Sequence, residues 1–206
     1  MTSLADRIRA ALAEPAPAVL DVGGDRASAV LVAVLLREAG PRLLFVRKAA
    51  TLRKHAGQVS FPGGAVDPGD GSPEAAALRE AEEEVGLPPS AVTVLGRLDD
   101  DRTYVTAYHI CAVVALVADP PVNLRPDPFE IDAILEIDFR AALDADPAGW
   151  NDYEVAGFHY RAPRFELPGP VTVWGATGRI LYGLQRRLRA AEAAGGPLCQ
   201  AQGFPR

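Results

Sequence analysis

Apolar residues recur along this chain with two different spacings, which predict strands and helices in alternation. Strand-like apolar runs occupy residues 27–37, 42–48, 57–61, 91–98, 103–118, 129–137 and 153–160. Helical spacing, with apolar residues about three to four positions apart, occupies residues 2–14, 73–85, 139–143 and 171–194. Strands that surround one internal helix, with a long helix at the end, predict an α/β fold in which a mixed β-sheet lies between helices.

Turn-forming residues separate these elements and suggest where the domain begins and ends. Gly40-Pro41 predicts a hairpin, the segment from Asp99 to Arg102 predicts a turn, and prolines predict a loop over 119–128. A chain of 206 residues suits one domain. We expect an N-terminal helix and linker over 1–26, the core over 27–194, and a mobile tail over 195–206.

The helix over 73–85 has clear start and stop signals. Ser72 is a favourable N-cap, and Pro73 occupies the first helical position, where its missing N–H is not needed. Gly86 suits the left-handed position that ends a helix, and Pro88 prevents continuation. The apolar stripe expected to face the core comprises Leu78, Ala81 and Val85.

A different face of this helix collects three carboxylates, those of Glu80, Glu83 and Glu84. Like charges at this spacing repel by about 0.2–0.5 kcal/mol per pair, and the last turn of a helix favours cations over anions. A divalent cation would remove both penalties, and hard oxygen ligands suit Mg²⁺ or Mn²⁺. The alternative is a solvated acidic face at a helix end.

Charge is distributed unevenly around this helix. Between residues 39 and 66 the chain has no acid, and its basic residues there are Arg42, Arg47, Lys48, Arg53, Lys54 and His55. Acids dominate from residue 67 to residue 84. A basic segment beside an acidic helix suits a phosphate ligand bridged by metal, although an exposed basic strand and loop would give the same pattern. The net charge of −6 argues against a general nucleic-acid binder.

Cysteine usage and hydropathy indicate a cytoplasmic protein. Cys111 and Cys199 provide neither a disulfide framework nor a zinc-ligand spacing, and a reducing compartment fits this usage. We expect no signal peptide, and the longest apolar runs are too short to span a bilayer. The expected protein has no membrane partner and is a monomer or a homodimer.

Residues 79–87, Arg-Glu-Ala-Glu-Glu-Glu-Val-Gly-Leu, resemble the second half of the Nudix box. In the first half, the Gly and the acid of the family pattern are matched by Gly64 and Asp70 only if one extra residue precedes Arg79. An insertion of this kind resembles the coenzyme A pyrophosphatase branch of the family.

The segment before the helix resembles the signature of the same branch. Residues 43–47 match its Leu-Leu-x-x-Arg, and residues 53–64 match its Arg, Gly and final Phe-Pro-Gly-Gly. Phe45 replaces a Thr, Lys48 replaces a small residue, and one extra residue lies between Lys48 and Arg53. These departures bear on the substrate more than on the family.

The resemblance implies a Nudix α/β/α sandwich and a metal-dependent hydrolase. The implied metal ligands, for Mg²⁺ or Mn²⁺, are Glu80, Glu83, Glu84 and the backbone of Gly64. Arg79 is expected to tie the helix to the loop through Asp70. Glu130 resembles the additional glutamate that many members place opposite the helix, and either Glu80 or Glu130 is expected to orient or deprotonate the water. Without the resemblance, Glu130 is a solvated residue at a strand end.

The resemblance also implies the substrate, a nucleoside diphosphate derivative, with coenzyme A favoured. The implied substrate-binding residues are Arg47, Arg53, Lys54, His55, Gly63 and Gly64. The expected products are adenosine 3′,5′-bisphosphate and 4′-phosphopantetheine or its acyl form. Two alternatives stay open: a Nudix hydrolase of another dinucleotide, such as ADP-ribose or NADH, and a Nudix-fold module that binds without catalysis.

Overall fold

A computed structural model describes residues 2–21, 23–103, 107–121, 123–155, 157–196 and 198, with the side chains of Val155 and Phe158 excepted. Its helices are α1 (Leu4–Ala13), α2 (Pro73–Val85), α3 (Phe139–Asp144) and α4 (Gly175–Gly195), with a 3₁₀ turn at Pro89–Ala91. Its strands are β1 (Arg26–Arg37), β2 (Gly40–Lys48), β3 (Val59–Ser60), β4 (Gly63–Ala65), β5 (Thr93–Arg97), β6 (Asp101–Thr103), β7 (Tyr108–Val117), β8 (Ile131–Asp138), β9 (Gly149–Val155), β10 (Phe158–Leu167) and β11 (Val171–Val173). Within the described part of the chain, no helix is both long and apolar enough to cross a membrane.

The main sheet is mixed, which confirms the prediction. Its strands follow the order β3-β2-β1-β7-β5, with β8 also paired to β2, β4 to β1 and β6 to β7. β1 and β7 are parallel, whereas the other pairs are antiparallel. A separate antiparallel sheet contains β9, β10 and β11.

Helices cover both faces of the main sheet. On one face α2 packs small residues, including Ala77 and Ala81, against β1 and β7. On the other face α1, α3 and α4 enclose a core of larger side chains, including the stacked rings of Phe45 and Phe61. Because side chains alternate along a strand, β1 and β2 contribute to both cores. This arrangement is the predicted α/β/α sandwich.

The predicted turn over 99–102 and the single strand over 103–118 are wrong. Asp101–Thr103 forms β6, which pairs antiparallel with the start of β7, so the chain reverses between them. Residues 104–106 of the predicted strand lie outside the described residues. The Tyr108 N–H donates to Thr103 Oγ1 over 3.0 Å and helps to hold the two arms together. The predicted strand over 103–118 is rich in β-branched and aromatic residues throughout, so composition did not indicate the reversal.

Two predictions near the C-terminus also change. The segment 153–160, of which residue 156 lies outside the described residues, contributes to two strands: Tyr153 lies opposite Tyr160 in the β9–β10 pair. Val171–Val173 is strand β11 and not the first turn of the final helix, because it pairs with β10 and consists of β-branched residues. Of the predicted tail, Gly195 ends α4 and Leu198 is buried; residues 197 and 199–206 lie outside the described residues.

Candidate active site

Local capping fixes where α2 begins and ends, and therefore where its side chains point. Ser72 Oγ accepts a hydrogen bond from the Ala75 N–H over 3.2 Å. Gly86, at φ 66°, donates its N–H to the carbonyl oxygens of Ala81 and Glu82. The predicted bounds of the helix, 73–85, are confirmed.

Arg79 connects α2 to the loop that precedes it. Its Nε and Nη2 donate to the two carboxylate oxygens of Asp70 over 2.8 and 3.1 Å, and Nη2 also donates to the Ala65 carbonyl over 3.0 Å. Nη1 donates to Glu80 Oε1 over 3.1 Å and to Glu83 Oε2 over 2.9 Å. The expected link to Asp70 is present, and the same guanidinium draws two of the three candidate carboxylates together.

Glu84 is the buried member of the acidic face. Its side chain is 3% exposed, and Oε1 accepts a hydrogen bond from the Lys48 ammonium at the end of β2. The Gly63 N–H donates to Glu84 Oε2 over 3.3 Å. A solvated acidic face therefore does not describe this residue. Sequence reasoning placed Lys48 in the basic segment and noted it as a departure from the signature, but did not predict its contact with Glu84, which depends on how β2 packs against α2.

The two glycines of β4 let the backbone approach the carboxylates closely. A Cβ on Gly64 would lie 2.5 Å from Glu80 Oε1, so any side chain there would displace the Glu80 carboxylate. Gly63 has φ 153°, and a Cβ there would lie 2.3 Å from the Ala29 carbonyl oxygen. Only glycine fits at both positions without local rearrangement.

Burial places the inward-facing carboxylates under electrostatic strain. It raises the pKa of Glu84 above the ordinary carboxyl value, although Lys48 and the Gly63 N–H oppose the increase. It also raises the pKa of Glu80, where Arg79 opposes the increase and the charge of Glu83 adds to it. These two carboxylates therefore lack enough positive charge around them, and an additional cation would stabilise their ionised forms.

Asp70 shows the opposite behaviour in the same site. Hydrogen bonds from the Arg79 guanidinium, and then from the Asp67 N–H, lower the pKa of the Asp70 carboxyl. The same contact with Asp70 raises the pKa of Arg79. Arg79 and Asp70 therefore form a fully ionised pair that fixes the site, whereas Glu80 and Glu84 remain available for another cation.

The candidate ligands have the oxygen chemistry that a hard divalent cation prefers, although their side chains are not gathered around one point. Among the described residues, no three His, Cys, Asp or Glu side chains lie close enough together to hold a metal ion. Each candidate carboxylate contacts a basic side chain of the protein. Lys48 contacts Glu84, and one nitrogen of Arg79 contacts both Glu80 and Glu83. Carboxylate oxygens are the ligands that Mg²⁺ and Mn²⁺ prefer. Gly64 has no side chain and lies close to Glu80, so its backbone is near the candidate carboxylate ligands.

Glu130 is exposed and lies immediately before β8, close in the backbone to the C-terminal end of α2. Its N–H donates to the Asp127 carbonyl over 3.3 Å, and the Asp127 N–H donates to the Glu84 carbonyl over 2.9 Å. The Ala49 N–H, just after β2, donates to the Glu130 carbonyl over 2.8 Å. The backbone thus holds Glu130 near both the C-terminal end of α2 and the end of β2.

The expected substrate-binding side chains occupy two places. Arg53 and Lys54 are exposed in the loop after β2, and no ion pair involves either residue in the described part of the chain. His55 has φ 60°, and its Nδ1 lies 2.8 Å from Gln58 Oε1, so its side chain closes this loop. Arg47 lines a cavity on the sheet face opposite α2.

Known proteins resemble this chain in both sequence and fold. Residues 25–156 match the sequence profile of the NUDIX domain. The "Uncharacterized Nudix hydrolase NudL" of Cronobacter sakazakii is 43% identical over 157 residues, which cover 76% of this chain and 79% of that protein. The protein of the same name from Photorhabdus laumondii is 36% identical over 190 residues, which cover 92% of this chain and 100% of that protein. The Nudix hydrolase RenU of M. smegmatis has a similar fold, with a TM-score of 0.53 at 20% identity over 85% of this chain and 90% of that chain.

Proposed function

The chain belongs to the Nudix hydrolase family, and from this premise we propose that it hydrolyses the pyrophosphate bond of coenzyme A or its acyl derivatives. The products are adenosine 3′,5′-bisphosphate and 4′-phosphopantetheine or its acyl form. One observation carries the proposal: the half-buried carboxylate of Glu80 and the buried carboxylate of Glu84 lie against Gly64 and Gly63, and the basic segment reaches Glu84 through Lys48.

Four groups of this chain would hold the metal. When Glu80, Glu83, Glu84 and the Gly64 carbonyl bind Mg²⁺ or Mn²⁺, the ion supplies neutralisation of the diphosphate charge and lowers the pKa of a bound water. The three glutamates repel one another on the helix surface, and a bound cation would remove that repulsion.

The protein supplies orientation and a proton acceptor. Arg79 holds Glu80 and Glu83 in place relative to the loop through Asp70. A water oxygen attacks phosphorus, the bond from phosphorus to the bridging oxygen breaks, and the phosphate that leaves takes the electron pair. Either Glu80 or Glu130 accepts the proton of the water.

The preference for coenzyme A rests on the basic segment and on the motif spacing. Arg53 and Lys54 are exposed cations without ion-pair partners in the described part of the chain, so they are free to contact phosphates of the substrate. His55 shapes the loop that carries them. The insertion before Arg79 and the Phe-Pro-Gly-Gly sequence at 61–64 support the same substrate.

A second substrate class is favoured by two observations. Phe45, at a position where the coenzyme A signature has Thr, is fully buried and stacks on Phe61 with ring centroids 4.6 Å apart. Lys48, at a position of a small residue, contacts Glu84. Neither side chain is free to recognise coenzyme A, so ADP-ribose or NADH is the second candidate substrate.

A non-catalytic binding module is the third candidate function. The intact set of three glutamates argues against it, because a module that only binds does not need all three carboxylates.

Two adjacent glutamates provide the test of metal-dependent hydrolysis. Glu83 contacts Arg79 and is 59% exposed, whereas Glu82 is exposed on a neighbouring part of α2. We expect Glu83→Gln to lower metal-dependent turnover at least about 100-fold with unchanged circular dichroism, and Glu82→Gln to retain activity. Steady-state kinetics on coenzyme A at varied Mg²⁺ measures both. Full activity of Glu83→Gln would remove Glu83 from the site and contradict the proposed mechanism.

A further inference from the structure

A cavity of about 390 Å³ lies at the end of β2, on the sheet face opposite α2. One wall contains Arg47 of β2 together with Gly57 and Gln58 of the following loop, and the other wall contains Thr172 and Trp174. This volume falls within the range of about 300–1,000 Å³ that is usual for small-molecule sites. The cavity is open to solvent, so a ligand can enter without movement of the backbone.

Arg47 gives the cavity a cation without a counterion. The residue is half-buried, and within the described part of the chain no hydrogen bond or ion pair involves its guanidinium. A partly buried guanidinium loses hydration that an anion would restore, and its planar donors match the oxygens of a phosphate. The cavity therefore suits an anionic group on the β2 wall.

Trp174 gives the opposite wall an aromatic surface. The residue is 39% exposed, and no ring pair or cation–π contact involves its indole among the described residues. Its backbone holds the N-cap position of α4, which fixes its location relative to β11. A free indole surface favours stacking with a planar ring, and every nucleobase offers such a ring.

The two walls come from different parts of the protein. Arg47, Gly57 and Gln58 lie within residues 25–156, which match the family profile, whereas Thr172 and Trp174 lie beyond that range. The family domain thus supplies the anion-binding side, and the segment that follows it supplies the aromatic side. A cavity built in this way can add substrate selectivity without changing the reacting groups.

The cavity adjoins the candidate active site through β2. Consecutive residues of a strand point to opposite faces. Arg47 lines the cavity, whereas the next residue, Lys48, contacts Glu84 on the α2 face. The cavity and the Glu84 carboxylate therefore lie on opposite faces of the main sheet at the same end of β2, so a substrate that reaches both has to pass around that end of the strand.

We propose that this cavity binds the adenosine 3′-phosphate end of the substrate, with the purine stacked on Trp174 and the 3′-phosphate paired with Arg47. The identity of the nucleotide rests on the proposed function. The inference that the cavity binds a ligand with both a planar ring, on Trp174, and an anionic group, on Arg47, does not. Trp174 and Arg47 act here in recognition and take no part in the chemical step.

Binding of the product separates this inference from catalysis. Adenosine 3′,5′-bisphosphate is titrated into the full chain without metal and followed by calorimetry. We expect Trp174→Ala to weaken binding at least about fivefold, Arg47→Gln to weaken it comparably, and Trp174→Phe to retain most of the affinity. The matched control is Trp150→Ala: this residue is 41% exposed and packs on Tyr182, away from the cavity.

Fluorescence and a second substrate sharpen the test. The sequence has two tryptophans, so a Trp150→Phe background reports on Trp174 alone, and we expect the bisphosphate to quench it saturably. In kinetics, Arg47→Gln should raise KM for coenzyme A and leave kcat unchanged, with no such effect on dephospho-coenzyme A, which lacks the 3′-phosphate.

The outcomes distinguish this inference from the proposed function. Unchanged affinity in correctly folded Trp174→Ala and Arg47→Gln overturns the inference, even if coenzyme A is hydrolysed. Weakened binding in both variants, with no hydrolysis of coenzyme A, supports the nucleotide cavity and contradicts the proposed substrate. A loss of affinity in Trp150→Ala equal to that in Trp174→Ala also overturns the inference.

Discussion

The two faces of the main sheet at the end of β2 are built in contrasting ways. On the α2 face, the candidate reacting groups other than Glu130 come from one continuous stretch of chain, residues 63–84, and are held by local contacts such as that of Arg79 with Asp70. On the opposite face, the cavity joins β2 to a segment more distant in sequence, around Trp174. The proposed chemistry thus depends on local sequence, whereas the proposed recognition depends on the tertiary fold.

The two ends of α2 show a related difference in electrostatics. Near the start of the helix, Arg97 donates to both oxygens of Glu74 over 2.5 and 2.6 Å and lowers the pKa of that carboxyl. Near its end, burial raises the pKa of Glu80 and Glu84 despite the cations beside them. The first end is arranged for stability, and the second retains a stability cost that a metal would offset.

The largest effect is expected from Arg79→Lys. Lysine lacks the planar fork that contacts Asp70, Glu80 and Glu83 together. The three carboxylates are then no longer held in fixed positions relative to one another. We expect kcat to fall about 100-fold with little change in KM for coenzyme A. The matched control is Arg97→Lys, which breaks a similar bidentate pair on the same helix and should retain turnover. Equal losses in the two variants would contradict the contrast between the two ends of α2, and a loss confined to KM would contradict the assignment of the chemical step to the α2 face.

A smaller effect is expected from Gly64→Ala. The added Cβ would lie 2.5 Å from Glu80 Oε1, and the flexible Glu80 side chain can move away only by leaving its place against the backbone. We expect turnover to fall about tenfold, less than a full misplacement of about 1 Å would cause. Gly69→Ala is the control, because a Cβ at Gly69 meets no atom within 4 Å. Wild-type kinetics in Gly64→Ala would show that the contact with Glu80 has no role in catalysis.

The smallest effect concerns stability and pH. The folded-state pKa of Glu80 is raised above its ordinary value of 4.5, so the protonated carboxyl favours folding, and this contribution is lost as pH rises through the folded-state pKa. Glutamine does not ionise, so the Glu80→Gln variant does not lose this stability as pH rises. We expect its Tm in chelator to exceed that of the wild type by about 2 °C near pH 7.5, with no advantage near pH 3.5, where both side chains are neutral.

Thermal unfolding monitored by circular dichroism measures this difference. Saturating Mg²⁺ should stabilise the wild type more than the variant and remove the advantage of Glu80→Gln. A wild type that is more stable than the variant in chelator near neutral pH would contradict the electrostatic strain assigned to this site.

Local signals made the α2 segment predictable. Ser72, Pro73 and Gly86 determine the ends of the helix through contacts within a few residues, and the bounds 73–85 are confirmed. The contact of Arg79 with Asp70 was also predictable, because both residues lie in one short segment. The alternation of strands and helices was sufficient to predict the mixed sheet between helices.

Tertiary contacts determine what sequence reasoning missed. Lys48 contacts Glu84 only because β2 passes beside α2, and no local pattern indicates that pairing. Residues 171–173 form a strand because β10 is adjacent, although the following apolar residues continue at a helical spacing. That error placed Trp174 inside a helix face and hid its place at the cavity.

The most direct test of the central claim is turnover of coenzyme A with Mg²⁺ or Mn²⁺, followed by identification of the products by mass. The account predicts adenosine 3′,5′-bisphosphate and 4′-phosphopantetheine, and no products in the presence of chelator. Intact coenzyme A alongside cleaved ADP-ribose or NADH would preserve the hydrolase and contradict the substrate. Failure to cleave any of these diphosphates would contradict the proposed reaction and favour a binding module.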